Sequence, residues 1–155
     1  MYPEERILID KELKKRNLEH LKSDYLYLCS YNTVLEILNL PYWNNPKFQS
    51  LLTSNIWKSN ATEVQIILSL KEWEEPKFQG LLTSSIWNSN AKEIQTILSL
   101  KEWEEPKFQS LLTSSIWTSN AKEIQIKLSL PYWNDKKYIK LLTPSIFAIT
   151  QKRIA

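Results

Sequence analysis

The sequence predicts an all-α fold, a right-handed α-solenoid of 30-residue helix-turn-helix repeats that begins with an N-terminal helical cap. Three observations predict it: one unit recurs every 30 residues, the 155 residues include a single glycine, and apolar side chains follow capping residues at helical spacing. A fixed period of about 20 to 50 residues is typical of solenoids and arrays. Scarce glycine argues against an all-β fold, whose hairpin turns need residues at positive φ.

The repeat divides the chain into five segments. Residues 1–39 are the predicted cap, which includes a degenerate repeat, and the complete units are 40–69, 70–99 and 100–129. A partial unit follows at 130–155. We expect a single domain overall, because each unit hides its apolar side only against its neighbours.

Each unit is expected to contain two short helices joined by turns. An Asn with a Glu three residues later resembles a capping box, which predicts the start of the first helix at Asn60, Asn90 and Asn120. Behind Asn90, apolar residues at helical spacing extend this helix to near Trp103. Pro76 is placed to open the second helix, with an apolar stripe of Phe78, Leu81 and Leu82.

The cap and the tryptophans complete the predicted core. Pro3 is expected to open a cap helix whose apolar residues are Ile7, Leu8, Leu13, Leu18 and Leu21. A pair of tryptophans recurs in every complete unit, and we interpret these side chains as core between repeats. Their indole N–H groups then need acceptors, and the Thr-Ser-Ser turn is the candidate. Stacking on nucleic-acid bases is the alternative role.

One position takes a different residue in each complete copy, whereas 19 of the 30 positions are identical in all three. The variable residues are Lys58, Asn88 and Thr118. They precede the Ser-Asn cap of the first helix, and they are the candidate ligand-reading residues, one per repeat, as in helical-repeat proteins that read one base per repeat. Drift at an exposed position is the alternative interpretation.

The segment LLTSSIWNSNAKEIQTILSL resembles repeats of mitochondrial transcription termination factors, with matches at Leu81, Leu82, Ser85, Ile94, Ile97 and Leu98. Leu142-Thr143-Pro144 resembles the opening of transcription activator-like effector repeats, whose base-reading residues lie in the loop between two helices. The resemblance covers about residues 40–155 and implies a nucleic-acid-binding helical repeat. The 30-residue period and the absence of a Gly-Gly pair depart from the effector pattern.

Charge gives a second indication about the ligand. The complete units carry formal charges of +1, −1 and 0, which is little for phosphate binding by counterion release. Repetition nevertheless aligns lysines into rows, and these rows are candidate contacts to phosphate or to an acidic partner: Lys47, Lys77 and Lys107 in one row, and Lys92 and Lys122 in another.

No catalytic, cofactor or metal motif is evident. One histidine, His20, and one cysteine, Cys29, do not make a zinc site of usual composition. His20 is expected to face solvent and Cys29 to be a small packed residue. We find no feature that indicates a small-molecule substrate, and we expect a non-enzymatic protein.

Localisation and partners follow from the same residues. A charged N-terminus without an apolar core, a lone cysteine and the lack of a long apolar run predict a cytoplasmic protein that does not insert in membranes. The partner is another protein or a nucleic acid. A protein–protein interaction scaffold is the first hypothesis, and a modular nucleic-acid-binding solenoid is the alternative.

Overall fold

The computed structural model describes residues 3–148, and of residue 148 the backbone alone, so the end of the partial unit 130–155 lies outside the described residues. Within this range the chain is all-helical, without a β-strand, and confirms an all-α fold of regularly repeating helix–turn units. The α-helices are α1 (Pro3–Lys15), α2 (Tyr31–Leu38), α3 (Pro46–Gln49), α4 (Ala61–Leu68), α5 (Pro76–Gln79), α6 (Ala91–Leu98), α7 (Pro106–Gln109), α8 (Ala121–Leu128) and α9 (Lys136–Ile139).

Short 3₁₀ turns connect these helices. They span Glu19–Leu21, Leu26–Leu28, Pro41–Asn44, Ser54–Lys58, Lys71–Glu74, Ser84–Asn88, Lys101–Glu104, Ser114–Thr118, Pro131–Asn134 and Pro144–Ala148. Each complete repeat therefore contains a 3₁₀ turn, a one-turn α-helix, a second 3₁₀ turn and an eight-residue α-helix. None of the described helices has the length and apolar character needed to cross a bilayer.

The eight-residue helices begin where the sequence predicts, because asparagine caps them. The Asn60 side chain accepts a hydrogen bond from the Glu63 amide at 2.8 Å, and Asn120 accepts one from the Glu123 amide at the same distance. Such a cap satisfies one of the N–H groups left unpaired at a helix start. The helix stops earlier than predicted, however: α6 ends at Leu98, and Trp103 lies in the following 3₁₀ turn.

The second predicted helix is reduced to a single turn. The Leu51 carbonyl, which a continuing helix would use internally, instead accepts hydrogen bonds from the Thr53 amide at 3.0 Å and from the Trp87 indole at 2.7 Å. Thr53 is extended, with φ −130° and ψ 171°. The Leu51 carbonyl thus accepts a hydrogen bond from a distant tryptophan, and the helix does not continue.

Six of the seven tryptophans are buried as predicted and Trp43 is only half-buried, and the hydrogen-bond partners correct the prediction. The Trp73 and Trp103 side chains are fully buried, and those of Trp57, Trp87 and Trp117 nearly so. Their acceptors are backbone carbonyls rather than the hydroxyls of the Thr-Ser-Ser turn. The indole–carbonyl bonds are Trp57 to Leu21 at 2.7 Å, Trp87 to Leu51 at 2.7 Å, Trp117 to Leu81 at 2.9 Å and Trp103 to Ile97 at 2.7 Å.

The glutamate after each cap has a different partner from the one predicted. A capping box would bond Glu63 back to its own helix start. Instead, Glu63 Oε2 accepts a hydrogen bond at 2.8 Å from the Ala91 amide, the first residue of α6, and Glu93 Oε1 accepts one at 2.6 Å from the Ala121 amide, the first of α8. Each carboxylate therefore caps the eight-residue helix of the next repeat.

The N-terminal helix has the predicted start, and part of the predicted apolar set is buried: Leu13 and, in the turn that follows, Leu21 are fully buried. It begins at Pro3, but Ile9 and Leu13 are its buried residues, whereas Ile7 and Leu8 are exposed. Ile9 and Leu13 are four residues apart and share one helical face. The helix ends in a Schellman motif, with Asn17 at φ 60° and the amide of the next residue donating to the Leu13 carbonyl at 2.8 Å.

The chain divides into two compact units. The first contains Met1–Ser69 and Leu82–Ala91, and the second contains Leu70–Leu81 and Lys92–Ala155. The turn that carries Trp87 thus belongs to the first unit, together with its acceptor Leu51. Likewise, Trp117 and its acceptor Leu81 both belong to the second unit. The division follows these indole contacts rather than the 30-residue period.

Candidate ligand-binding surfaces

The variable residues lie at the ends of three equivalent 3₁₀ turns. Lys58 ends Ser54–Lys58, Asn88 ends Ser84–Asn88, and Thr118 ends Ser114–Thr118. All three side chains are exposed. Tight turns place them there because the preceding Ile and Trp of each turn point into the core. Sequence reasoning identified these positions from their variation, and the structure places each of them on the surface.

Two of the variable residues touch each other. Lys58 Nζ donates a hydrogen bond to Asn88 Oδ1 at 3.0 Å, within the first compact unit. The Thr118 hydroxyl, in the second unit, is used locally and donates to the Ser115 carbonyl at 2.7 Å. Residues 30 positions apart thus form a continuous polar contact in the first unit.

The exposed Tyr25 ring of the N-terminal segment flanks this contact. Lys58 Nζ lies 5.0 Å from the centre of the Tyr25 ring, in cation–π range. Tyr25 is 44% exposed, and Leu28, which has the register of Lys58 in the degenerate unit, is 83% exposed. We call Tyr25, Leu28, Lys58 and Asn88 the N-terminal patch. Tyrosine is enriched in protein interfaces, and a lysine beside an amide is typical of their polar rim.

The first lysine row is engaged within the protein. Lys77 Nζ lies 3.1 Å from Glu104 Oε1 and 3.6 Å from Glu75 Oε1, and 5.2 Å from the centre of the Phe78 ring. Only 19% of the Lys77 side chain is exposed. The ammonium group of Lys77 therefore already has two carboxylate neighbours within the protein.

Lys107 repeats this arrangement one unit later. Its Nζ lies 3.6 Å from Glu105 Oε1 and donates hydrogen bonds to the Trp133 carbonyl at 3.1 Å and to Asn134 Oδ1 at 3.5 Å. Asn134 has the register of Glu104. Lys47, the first member of the row, is half-buried over the Phe48 ring at 5.2 Å.

The second lysine row is open to solvent. Lys92, on α6, and Lys122, on α8, are exposed and form no ion pair with any described residue. Each is the second residue of an eight-residue helix. The two rows thus differ: Lys77 and Lys107 are paired, and Lys92 and Lys122 are available to a ligand.

A cavity that sequence reasoning missed lies in the second compact unit. Its volume is about 430 Å³, and its lining includes Lys127, Trp133, Tyr138 and Leu141. The sequence did contain one signal. Lys127 has the register of Ile67 and Ile97, which are fully buried, so a lysine replaces a core isoleucine in the last complete copy.

Lys127 is buried and bonded to the backbone. Its Nζ donates to the Phe147 carbonyl at 3.2 Å, a carbonyl that also accepts from the Ser119 hydroxyl at 3.1 Å. Burial lowers the pKa of Lys127, because it penalises the charged form, and the nearby Glu123 carboxylate opposes that shift. The ammonium group thus fixes the last described turn to α8.

The reactive side chains do not assemble into a catalytic arrangement in the described part of the chain. Cys29 is half-buried, and burial raises the pKa of its thiol, which disfavours the nucleophilic thiolate. Its thiol donates to the Trp57 carbonyl at 3.6 Å, so Cys29 has the predicted packing role. His20 is exposed, as predicted. No group of three or more described His, Cys, Asp and Glu residues is placed to hold a metal ion.

Comparisons with family models, with curated proteins and with solved structures find no match to this chain. The surfaces described above are therefore the basis for inferring its function.

Proposed function

We propose that this chain is a non-enzymatic binding module whose 30-residue units stack as a right-handed α-solenoid, and that it acts as a protein–protein interaction scaffold in the cytoplasm. The observation that carries the proposal is the pairing of Lys77 with Glu104 at 3.1 Å. Together with the contacts of Lys107, it means that two of the three lysines in the first row already have acceptors within the protein.

Nucleic-acid binding depends on lysines and arginines that release counterions from phosphates. The complete units are close to neutral, and the ammonium groups of Lys77 and Lys107 already interact with acceptors of the protein. Apolar and aromatic contacts do not need that free charge. A protein partner is therefore favoured over a polyanion.

The proposed binding surface is the N-terminal patch. Leu28, at 83% exposure, and Tyr25, at 44%, offer apolar area that a partner removes from water. Lys58 lies over the Tyr25 ring, and its hydrogen bond to Asn88 at 3.0 Å orients both side chains. Apolar anchors beside polar groups support specific docking of a partner protein.

The test is site-specific photocrosslinking. A photoreactive amino acid is introduced at position 28 and, as a matched control, at the exposed position 92. The proposal expects a protein crosslink from position 28 alone, and binding of that purified partner should fall at least tenfold in Leu28→Asp but not in Lys92→Glu. Crosslinks to nucleic acid alone, or equal crosslinking from both positions, would contradict it.

One observation favours the alternative, a modular nucleic-acid-binding solenoid that reads its ligand through Lys58, Asn88 and Thr118. The contact between Lys58 and Asn88 shows two such residues side by side at the repeat spacing. The resemblance to transcription termination factor and effector repeats points in the same direction. Exposed Lys92 and Lys122 would supply the phosphate contacts.

Binding to random DNA and RNA oligonucleotides at two salt concentrations tests this alternative. Nucleic-acid binding should appear at low salt and weaken as salt is added. Asn88→Lys should then change the base preference without unfolding the protein. If no binding occurs at low salt, the alternative fails; if the preference is unchanged in Asn88→Lys, position 88 does not read bases.

A further inference from the structure

The cavity in the second compact unit is lined by a residue whose equivalents in the earlier repeats are covered by another turn of the chain. Leu141, in its lining, is equivalent by the 30-residue period to Leu51, Leu81 and Leu111. Those three leucines are fully buried, whereas Leu141 is 55% exposed. Leucine at this position is therefore covered in the three earlier units and exposed at Leu141.

The covering segment is known at two of the equivalent positions. The indole of Trp87 donates to the Leu51 carbonyl at 2.7 Å, and the indole of Trp117 donates to the Leu81 carbonyl at 2.9 Å. Each tryptophan belongs to a Ser-Ile-Trp or equivalent 3₁₀ turn, and each is nearly fully buried. The natural occupant of this kind of site is therefore a turn that presents an indole.

The Leu141 carbonyl oxygen can accept a hydrogen bond from the indole of such a turn. A carbonyl oxygen has two lone pairs. The Leu51 carbonyl uses both, for the Thr53 amide at 3.0 Å and the Trp87 indole. The Leu141 carbonyl accepts from the Thr143 amide at 2.9 Å, and no described residue supplies a second donor. The local turn is thus already in the conformation that receives an indole.

We propose that this cavity binds the Ser-Ile-Trp turn of a separate polypeptide, with the indole N–H donating to the Leu141 carbonyl. The occupant is a partner protein that carries an exposed tryptophan turn of the same type as this chain's own. A folded second copy does not supply it, because Trp57, Trp87 and Trp117 are buried in their own sites. The inference rests on the proposed scaffold function and names the chemistry of one partner.

The side chains of the cavity suit an aromatic guest. The rings of Tyr132 and Tyr138 lie edge to face with their centres 5.3 Å apart, and Trp133 and Ile146 add further apolar lining. A volume of about 430 Å³ is within the range of small-molecule and side-chain pockets. An indole with the adjoining isoleucine is therefore a guest of suitable size and polarity.

The experiment uses the full chain and a synthetic peptide with the sequence of residues 113–122, Thr-Ser-Ser-Ile-Trp-Thr-Ser-Asn-Ala-Lys. Linear and cyclised forms are titrated to millimolar concentration while backbone amide NMR signals are followed. We expect saturable shifts centred on Leu141, Thr143 and Ile146. Leu141→Glu should weaken binding at least tenfold, and Leu8→Glu, at an exposed leucine of α1 outside both proposed surfaces, should leave it unchanged.

The hydrogen bond itself is tested in the peptide. Replacing its tryptophan by 3-benzothienylalanine keeps the shape of the ring system and removes the N–H donor. Affinity should fall about five- to tenfold, the effect of one lost hydrogen bond of about 1 kcal/mol. Equal affinity of the two peptides would overturn the assigned acceptor. Absence of shifts with both linear and cyclised peptides would overturn the cavity as a binding site.

The outcomes separate this inference from the proposed function. If the peptides fail to bind but a protein partner still crosslinks to position 28, the scaffold function stands and the cavity is not its tryptophan site. If the peptide shifts residues of the N-terminal patch instead and Leu28→Glu abolishes binding, the cavity assignment is likewise overturned. Failure of both experiments contradicts both proposals.

Discussion

The indole nitrogen of Trp87 lies 2.7 Å from the carbonyl oxygen of Leu51, a residue 36 positions earlier in the chain. The same bond joins Trp57 to Leu21, also at 2.7 Å. A side chain that buries a large apolar ring and also satisfies a backbone carbonyl stabilises folding in two ways. This bond links consecutive repeats within the first compact unit.

Replacing Trp117 by phenylalanine should lower the free energy of unfolding by about 1 to 2 kcal/mol, because the Leu81 carbonyl loses its indole donor and some apolar area is lost. The converse change, Phe147→Trp, provides the matched variant, since Phe147 is equivalent to Trp117 by the 30-residue period and its side chain has no N–H donor. It should raise stability by up to about 1 kcal/mol. Urea denaturation measures both, and equal stability of Trp117→Phe and the parent protein would contradict the assignment.

Glu63→Ala should lower the free energy of unfolding by about 1 kcal/mol, because the Ala91 amide at the start of α6 loses its acceptor at 2.8 Å. Glu63→Gln is the control, since its amide oxygen can still accept this bond, and it should retain most of the stability. Thermal and urea unfolding distinguish the two. Indistinguishable losses in both variants would point to charge rather than hydrogen bonding.

Asn55→Ser should stabilise the protein by about 0.5 to 1 kcal/mol. The Thr53 hydroxyl is buried without a hydrogen-bond partner, whereas the equivalent hydroxyls of Thr83 and Thr113 bond to Ser85 at 3.0 Å and to Ser115 at 2.8 Å. A serine at position 55 recreates that pair. Ser85→Asn is the reverse change and should destabilise by a similar amount. A loss of stability in Asn55→Ser would be contrary to this expectation.

Lys127→Ile should raise the free energy of unfolding at neutral pH by about 1 to 2 kcal/mol, because it restores the isoleucine of the equivalent positions and removes a buried charge. Lys127→Met, of similar length, separates the charge from the shape. The Phe147 carbonyl keeps its hydrogen bond from Ser119 in both variants. Denaturation at pH 7 gives the comparison, and a loss of stability in both would show that the lysine bond outweighs the cost of burial.

The pH dependence of this difference has a defined sign. The pKa of Lys127 is lower in the folded protein than its ordinary value of 10.5, so between the two values the unfolded chain binds more protons. Stability of the parent protein relative to Lys127→Ile must therefore increase with pH in that window. The advantage of isoleucine should be largest below the folded-state pKa and should shrink as pH approaches 10.5. An advantage that grows with pH would be inconsistent with the lowered pKa.

Local features of the fold were predictable from sequence, and long-range partners were not. The start of α4 follows from Asn60 and an amide three residues away, a relationship that lies within one turn. The length of the second helix depends on a bond between the Leu51 carbonyl and Trp87, which apolar spacing does not reveal. For the same reason the acceptors of the tryptophans and the partner of Glu63 were assigned wrongly. A periodic apolar stripe shows which side of a helix is buried. It does not show which atoms of another repeat accept or donate the hydrogen bonds there.

The candidate sites show a similar limit. Variation identified Lys58, Asn88 and Thr118 as surface positions, because identical neighbours make a single difference conspicuous. Charge patterning grouped the five repeat lysines, but only coordinates show that Lys77 is paired while Lys92 is exposed. One lysine at an isoleucine register indicated the cavity beside Lys127, and the exposure of Leu141 in its lining depends on packing that the sequence does not reveal.

The fixed separations of these bonds bear on how such a gene changes length. The indoles of Trp57, Trp87 and Trp117 lie 36 positions after their acceptors, and the capping carboxylates of Glu63 and Glu93 lie 28 positions before their amides. Excision or duplication of 30 consecutive codons restores both separations at the junction. Unequal recombination between near-identical copies therefore preserves the hydrogen-bond pairs between repeats. An insertion whose length is not a multiple of 30 residues changes the separation of every such pair that it interrupts. The number of copies can therefore change in evolution while the contacts between consecutive repeats stay the same.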